Sequence, residues 1–219
     1  KLQVEHGNLT AARLVQHHYS LMRNTLKNFD GKEISTAGDS MLIVFLAPAD
    51  AIKFALTTQQ AMRRAQEREP LLPAMRCGVH QGQVVVQMDV DPTEISDICG
   101  VQVSTAARIM SLGAGNQILM SRAVFDDART VLAHDQLHGF GEIHWISHGN
   151  YQFKGIPEEC EVCEVGEVSF APLSVPEDSE KAWSVNTPQK PNARQAIQSS
   201  SRKRIIVWLA LMASLMSVV

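Results

Sequence analysis

The stretch Gly31–Phe45 reads GKEISTAGDSMLIVF and has the pattern of a β-hairpin. A largely polar arm leads into a tight turn at Gly38 and Asp39, and an almost wholly apolar arm follows. Aspartate and glycine are common in tight turns, so the turn by itself indicates only structure. The hairpin nevertheless predicts that the Asp39 carboxylate is held on a rigid scaffold and projects to where a ligand can reach it.

The segments on either side of this hairpin alternate between helical and strand periodicity. Amphipathic helices are predicted at Leu9–Phe29 and, after a cap at Pro48–Asp50, from Ala51 to Arg68. Further along the chain we predict strands at 74–79, 83–86 and 118–120, a polar loop up to Cys99, helices at 101–112 and 122–129, and antiparallel strands up to Val165. Helices interleaved with hairpins predict an α+β domain on a largely antiparallel sheet.

The composition bounds the size of the domain and its partners. The chain has 219 residues, of which 45% are hydrophobic and 20% charged, enough for one globular core plus an appendage. The formal net charge is -3 and the isoelectric point is near 6.3. Because the chain has no basic footprint, we do not expect it to bind nucleic acid.

The character of the chain changes after Val165. Residues 166–204 are rich in Pro, Ser, Gln and Asn without a sustained period, which predicts a linker. Residues 205–219 are apolar and follow the basic run Arg202–Arg204. The apolar segment at 205–219 is shorter than the roughly 20 residues that span a bilayer. We therefore expect the start of a transmembrane helix at the cell membrane, with the preceding domain on the cytoplasmic side. A buried carboxy-terminal helix is the alternative.

Two further stretches carry side chains suited to anion binding. Arg76 enters on an otherwise apolar predicted strand, where a fixed guanidinium fork would suit a phosphate. An edge-strand arginine in water is the alternative. Ser104 and Arg108 are four residues apart on a predicted helix, so they share a face, and Asp97 lies just before that helix. We expect Val103, Ala106, Ala107 and Met110 to form its buried side.

Five stretches together are more specific than any one of them. They are GKEISTAGDSMLIVF, DAIKFALTTQQAM, MRCGVHQGQVVV, DICGVQVSTAARIMSLGAGNQILMS and YQFKGIPEECEVCEV. In order and spacing this series resembles the catalytic domain of class III nucleotidyl cyclases, adenylate or guanylate. The resemblance covers residues 1–165, without the first strand of that domain.

This resemblance implies a ferredoxin-like α+β domain that works as a homodimer with active sites at the dimer interface. The implied reaction is attack of the ribose 3′-hydroxyl on the α-phosphate of a nucleoside triphosphate, which yields a cyclic nucleotide and pyrophosphate. It also implies two divalent ions, Mg²⁺ or Mn²⁺, that activate the 3′ oxygen and neutralise the triphosphate.

The resemblance also assigns roles to individual residues. Asp39 falls on one of two metal-binding aspartates, and the other is expected in a strand motif just before Lys1. Arg108 matches the arginine that stabilises charge developing on the phosphates. Arg76 matches an arginine that contacts phosphate, and Lys154 matches the lysine that reaches the terminal phosphates.

Base recognition falls on Asp97, and two neighbouring positions depart from the family pattern. A carboxylate only accepts hydrogen bonds, so Asp97 favours the 6-amino group of adenine over the 6-oxo group of guanine, and ATP over GTP. Ser35 replaces a lysine that partners this aspartate in adenylate cyclases, which implies looser base selectivity. Ser104 replaces the asparagine that positions the ribose, which implies a slower enzyme.

Two other functions compete with a cyclase that makes cyclic AMP for intracellular signalling. One is a catalytically silent cyclase-homology module that binds nucleotide or dimerises to regulate an attached domain, and Ser35 and Ser104 favour it. The other is a diguanylate cyclase, whose G-G-[DE]-E-F-like turn is absent. Here the turn is Ala37-Gly38-Asp39-Ser40.

Overall fold

Four helices and nine strands alternate along the part of the chain that the computed structural model describes, which is residues 7–88, 95–134, 137 and 139–185. The helices are α1 (Asn8–Leu26), α2 (Pro48–Arg68), α3 (Val101–Leu112) and α4 (Arg122–His134). The strands are β1 (Gly31–Ala37), β2 (Ser40–Phe45), β3 (Cys77–Val79), β4 (Val85–Met88), β5 (Ile95–Cys99), β6 (Ile118–Ser121), β7 (Ile143–Phe153), β8 (Cys160–Glu167) and β9 (Ala182–Ser184).

The strands form three sheets. Five of them pair in the order β3-β6-β8-β7-β9, while β1 pairs with β2 and β4 pairs with β5 in separate two-stranded sheets. Within these described strands only the β3–β6 pair is parallel. The architecture confirms the predicted α+β fold with a largely antiparallel sheet.

The five-stranded sheet is covered on both faces. Successive side chains of β6 point to opposite faces and so contact both coverings. Ile118 and Met120 pack against α2 and α4, in a cluster that includes Ile52 and Phe125. Leu119 packs on the other face, against α3 and the residues Tyr151 and Phe153 of β7. All of β6 is therefore buried, as expected for a strand with helices on both sides.

A third cluster joins α1 and α2 to the β1–β2 hairpin. Leu14 and Met22 of α1 and Phe54 and Met62 of α2 are among its buried members, and the partly buried hairpin residues Met41, Ile43 and Phe45 pack against them. Every residue of β2 is only half-buried, in contrast to β6. The hairpin is thus anchored from the helical side and less covered elsewhere.

The polar stretch before α3 was predicted as a loop up to Cys99, and this prediction is wrong for its last residues. Ile95–Cys99 form β5, which pairs antiparallel with β4. The polar side chains Ser96 and Asp97 give the sequence no apolar alternation, and the segment is a strand because it pairs with β4. Two other boundaries also move: β3 begins at Cys77, after Arg76, and β4 begins at Val85.

The predicted linker also begins too early. Residues 166–184 belong to the same structural unit as the rest of the domain, and β9 adds to the sheet beside β7. Ala171 and Ala182 are buried, although the proline-rich composition of this segment suggested a linker. The remaining linker and the predicted transmembrane segment at 205–219 lie outside the described residues. No helix in the described ranges is long and apolar enough to cross a membrane.

Candidate active site

The turn between β1 and β2 carries Asp39 at an exposed position. Gly38 adopts a left-handed backbone (φ 65°), which glycine tolerates without steric cost. The buried Tyr19 of α1 lies beneath the turn, with its hydroxyl 2.8 Å from the carbonyl oxygen of Gly38 and 3.3 Å from that of Ser40. The Tyr19 hydroxyl thus fixes the backbone on both sides of Asp39.

His18 is a second α1 residue that is linked electrostatically to this turn. Its Nδ1 is buried and has no hydrogen-bond partner in the described part of the chain. Burial lowers the pKa of His18, and the Asp39 carboxylate raises it in part. The two side chains are therefore close enough to interact electrostatically.

Ser35 and Asp97 lie on two strands that contact each other, β1 and β5. The register of β1 shifts between Glu33 and Ser35, and Ser35 pairs with Leu42 beyond this irregularity. Both Ser35 and Asp97 are exposed. Asp97 Oδ1 accepts a hydrogen bond from the backbone N–H of Ile98 at 2.8 Å, which orients its carboxylate.

Helix α3 presents Ser104 and Arg108 one turn apart. Ser104 is exposed and Arg108 is half-buried. The buried face of the helix consists of Thr105, Ile109 and Leu112. The predicted buried side at Val103, Ala106, Ala107 and Met110 is therefore wrong: Ala107 is exposed and the others are half-buried. Ile109 and Leu112 instead pack on β6 and β7.

Arg76 lies immediately before β3, outside the strand on which it was predicted. Its side chain is exposed, and Nη1 approaches the carbonyl oxygen of Gly113, at the end of α3, to 3.4 Å. The neighbouring Gly78 permits close packing of β3 on α3, since a Cβ there would lie 2.3 Å from the backbone nitrogen of Met110. Glycine at this position therefore sets the distance between β3, which follows Arg76, and α3, which carries Arg108.

Lys154 follows directly on β7, in a turn that ends the strand. Gly155 has a left-handed backbone (φ 85°), and the N–H of Ile156 donates to the carbonyl oxygen of Phe153 at 3.1 Å. The Lys154 side chain is exposed. In the described residues no hydrogen bond joins any two of the seven predicted site side chains, so none of these groups is committed to another.

Comparison with known proteins shows the family of this domain. Residues 1–156 match the model of the family described as the adenylate and guanylate cyclase catalytic domain. The chain belongs to this family. A curated relative is an adenylate cyclase from Lachancea kluyveri, 27% identical over 126 residues, which cover 49% of this chain and 7% of that protein. The chain spans between 7% and 33% of the lengths of the curated relatives that it matches.

Solved structures show the same fold as this cyclase domain. A structure described as an adenylate cyclase from Trypanosoma brucei in its monomeric state aligns with a TM-score of 0.64 at 18% identity, covering 80% of this chain and 86% of the other. The guanylyl cyclase Cya2 aligns with a TM-score of 0.57 at 22% identity, covering 79% and 89%. Both adenylate and guanylate cyclases thus share the architecture of this domain.

The metal site that the family implies is only partly supplied by the described residues. Asp39 offers a hard oxygen ligand of the kind that Mg²⁺ and Mn²⁺ prefer. No group of three or more His, Cys, Asp or Glu side chains in the described part of this cyclase domain could hold a metal ion. The described residues alone therefore do not form a metal centre.

Sequence reasoning found neither Tyr19, which supports the Asp39 turn, nor His18, whose pKa the Asp39 carboxylate raises. Both occupy an amphipathic helix in which aromatic and histidine side chains are usual, so the sequence carries no local signal for them. The Tyr19 hydroxyl reaches the turn only because α1 packs against the hairpin. The β9 pairing beside Lys154 was missed because it depends on the edge of β7, which is distant in sequence.

Proposed function

We propose that this cyclase domain converts ATP to 3′,5′-cyclic AMP and pyrophosphate. The single observation that carries the proposal is the family match over residues 1–156, within which the side chains expected to bind substrate are exposed, apart from the half-buried Arg108. In the reaction the ribose 3′ oxygen forms a bond to the α-phosphorus and loses its proton. The bond between the α-phosphorus and the bridging oxygen to the β-phosphate breaks, and pyrophosphate leaves.

Asp97 is proposed to select the base. Because its Oδ1 accepts from the Ile98 N–H, its Oδ2 is left to accept from the 6-amino group of adenine. The guanine 6-oxo group would face a carboxylate oxygen without a shared proton, which disfavours GTP. Ser35, on the contacting strand β1, is proposed to bound the base pocket without supplying a cation.

Three cationic side chains are proposed to bind the phosphates. Arg108 would stabilise charge that develops on the α-phosphate, an electrostatic contribution that grows in the transition state. Lys154 and Arg76 would bind the remaining phosphates as exposed cations. Ser104, one turn from Arg108, is proposed to orient the ribose through its hydroxyl.

A further strand is proposed to complete the metal site beside Asp39. Within the described strands β2 pairs only with β1 and β3 pairs only with β6, so each has an edge to which a strand could add. Both β2 and β3 contact helix α2. A strand preceding Lys1 that pairs there would place an aspartate close to Asp39 and allow two Mg²⁺ or Mn²⁺ ions to bind.

The active form is proposed to be a homodimer. Val85 and Val86 of β4 and Val101 at the start of α3 are exposed, with 62% of Val85 accessible. Cys99, the strand partner of Val85, is exposed as well. Burial of these residues against a second copy would remove apolar surface from water. Val85→Glu should then convert a concentration-dependent dimer to monomer in analytical ultracentrifugation, whereas Val131→Glu on α4 should not.

Attachment to the cell membrane is proposed on sequence grounds. The apolar residues 205–219 follow Arg202–Arg204, and such basic flanks favour the cytoplasmic side. Membrane flotation of the full-length protein, and its loss when residues 205–219 are deleted, measures this attachment.

The test of the enzymatic function is cyclic AMP formation by the full-length protein with ATP and Mn²⁺. Arg108→Ala should lower kcat by about 10²-fold to 10³-fold, the cost of removing one preorganised charge donor. Arg64→Ala is the matched control, because Arg64 is exposed on α2 and has no described hydrogen bond or ion pair. Equal inactivity of the wild type and Asp39→Ala would defeat the proposal.

Base selectivity has its own test. Asp97→Asn replaces one acceptor with an amide donor that can meet the 6-oxo group of guanine. We expect the ratio of kcat/KM for ATP over GTP to fall about tenfold or more. An unchanged ratio would remove Asp97 from base recognition while leaving the cyclase reaction intact.

A silent regulatory module is the second candidate function. It is favoured by the short hydroxyls at Ser35 and Ser104 and by the single carboxylate, Asp39, that the described residues offer at the proposed metal site. Calorimetric nucleotide binding by the full-length protein without product formation would support this module, and steady product formation would exclude it.

A further inference from the structure

Residues 168–184, here called the strap, return along the sheet after β8 and end in β9. They lie beyond residues 1–156, the part that matches the cyclase family model. The strap nevertheless packs closely on the domain: a Cβ at Gly166 would lie 2.2 Å from the Cβ of Ala171. The buried residues Ala171 and Ala182 lie at its two ends.

A buried carboxylate anchors the middle of the strap. Glu164 of β8 has no solvent exposure, and its Oε1 accepts from the backbone N–H of Leu173 at 3.1 Å. Its Oε2 accepts from Gln117 Nε2 at 3.0 Å and from His148 Nε2 at 2.8 Å. Gln117 Nε2 also donates to the carbonyl oxygen of Ser174 at 2.8 Å. Breaking this network would leave buried polar groups unpaired.

Two hydrogen bonds fix the part of the strap nearest β9. The buried Tyr151 hydroxyl donates to the carbonyl oxygen of Pro176 at 3.1 Å. Asp178 Oδ1 accepts from the backbone N–H of Ser184 at 2.7 Å and so closes the turn that leads into β9. Asp178 is exposed, so its substitution leaves the core unchanged.

The pairing of β9 with β7 ends directly before Lys154. It pairs with the last three residues of β7, and the backbone N–H of Lys154 then donates to the carbonyl oxygen of Lys181 at 2.9 Å. Lys154 therefore takes its backbone position from the strap as well as from its own turn.

We propose that the strap is a positioning element for triphosphate binding, which acts by holding Lys154 through the Lys181 carbonyl. This proposal rests on the proposed function, because the role of Lys154 in phosphate binding is part of it. When β9 separates from β7, the Lys154 amide loses its acceptor and its side chain samples more positions. The affinity for the terminal phosphates falls, while the contacts to the base are unaffected.

The test loosens β9 through Asp178→Ala in the full-length protein. Asp178→Asn retains an acceptor for the Ser184 N–H and should restore the wild-type behaviour. Glu180→Ala is the matched control, because Glu180 is an exposed acidic residue of the same turn without a described hydrogen bond. The probes are inorganic tripolyphosphate, for the phosphate subsite, and adenosine, for the base subsite. Hydrogen exchange of the Lys154 amide reports the strap directly.

We expect Asp178→Ala to speed Lys154 amide exchange and to weaken tripolyphosphate binding about threefold to tenfold, with adenosine binding unchanged. In a Lys154→Ala background the same substitution should have no further effect on tripolyphosphate, as a double-mutant cycle requires for residues that act together. Unchanged Lys154 exchange, or an equal loss of tripolyphosphate binding in the Lys154→Ala background, would overturn the proposal.

Failure of the proposed function is distinguishable from failure of the strap. If Lys154→Ala binds tripolyphosphate as the wild type does, Lys154 is not a phosphate ligand and the positioning role is overturned with it. Faster Lys154 exchange in Asp178→Ala would in that case still establish the hydrogen bond between strap and lysine.

Discussion

The β1–β2 hairpin and the β6–β8 pair are both antiparallel strand pairs of one domain, yet they are covered very differently. All of β6 and residues 162–166 of β8 are buried, because α2 and α4 cover one face and α3 the other. No residue of β1 or β2 is fully buried. The hairpin carries Ser35 and Asp39, which are proposed to lie at the substrate and metal sites, whereas β6 and β8 supply the scaffold.

The contrast shows how stability and function are divided in this cyclase domain. The covered strands contribute apolar area removed from water, which is the main source of folding free energy. The hairpin gives up part of this contribution to keep its turn exposed, and it is held instead by α1, through the Tyr19 hydroxyl and the apolar cluster. Substitutions in the two regions should therefore differ in size and in what they change.

The largest effect is expected at Glu164 of β8. Glu164→Ala leaves the Leu173 N–H, Gln117 and His148 without a shared buried acceptor, and we expect a loss of about 4 kcal/mol in the free energy of unfolding. Urea denaturation measures it. The matched change in the hairpin region is Glu33→Ala, which breaks a more exposed ion pair with Arg23 and should cost far less. Equal losses would contradict the division.

A smaller effect separates two leucines. Leu119→Ala in β6 removes a fully buried side chain and should cost about 3 kcal/mol, while Leu42→Ala in half-buried β2 should cost about 1 kcal/mol. Thermal and urea unfolding of both variants check the difference. If an additional strand pairs with β2 in the full-length protein, the cost of Leu42→Ala should rise there and that of Leu119→Ala should not.

Tyr19→Phe tests how the hairpin is held. The change removes the hydroxyl that reaches the carbonyl oxygens of Gly38 and Ser40, and keeps the ring that packs against Arg23. We expect a loss of about 1 kcal/mol in stability, the usual value for one hydrogen bond. Amide exchange should speed up at residues 38–40 and stay unchanged in β6. An increase spread over the whole domain would indicate that Tyr19 supports the core instead.

The smallest effect is a pH dependence of stability at His18. Burial lowers its pKa in the folded state below the ordinary 6.5, so below that pH the unfolded chain binds a proton that the folded chain does not. The free energy of unfolding should be unaffected by His18 above about pH 6.5 and should decrease as the pH falls towards the folded-state pKa. His18→Asn should reduce this decrease by less than about 1 kcal/mol.

An NMR titration of the His18 ring checks the cause. Asp39→Asn removes the charge that raises the pKa, so the pKa of His18 should fall further below 6.5 in this variant. An unchanged His18 titration in Asp39→Asn would show that the imidazole and the turn do not interact.

The sequence predicted the elements whose periodicity is decided locally. The helices α1 to α3 and strand β6 follow from apolar spacing and turn residues, and the structure has them within a few residues of the predicted bounds. Strand β5 was not predicted, because Ser96 and Asp97 give it no alternation and only pairing with β4 makes it a strand. Strand β9 lies in a proline-rich stretch, where composition indicates a linker and only the edge of β7 provides a partner.

By itself, the sequence determined the fold class, the family and the chemical types at the candidate site, since residue identity and spacing are local properties. Asp39 at a turn, and Ser104 and Arg108 one helical turn apart, needed no coordinates. The tertiary structure alone decided which groups support them: Tyr19 under the Asp39 turn, Glu164 in the strap network and Lys181 beside Lys154. These contacts join residues between 9 and 27 positions apart. Only chain folding brings such residues together, because no short-range pattern encodes their pairing.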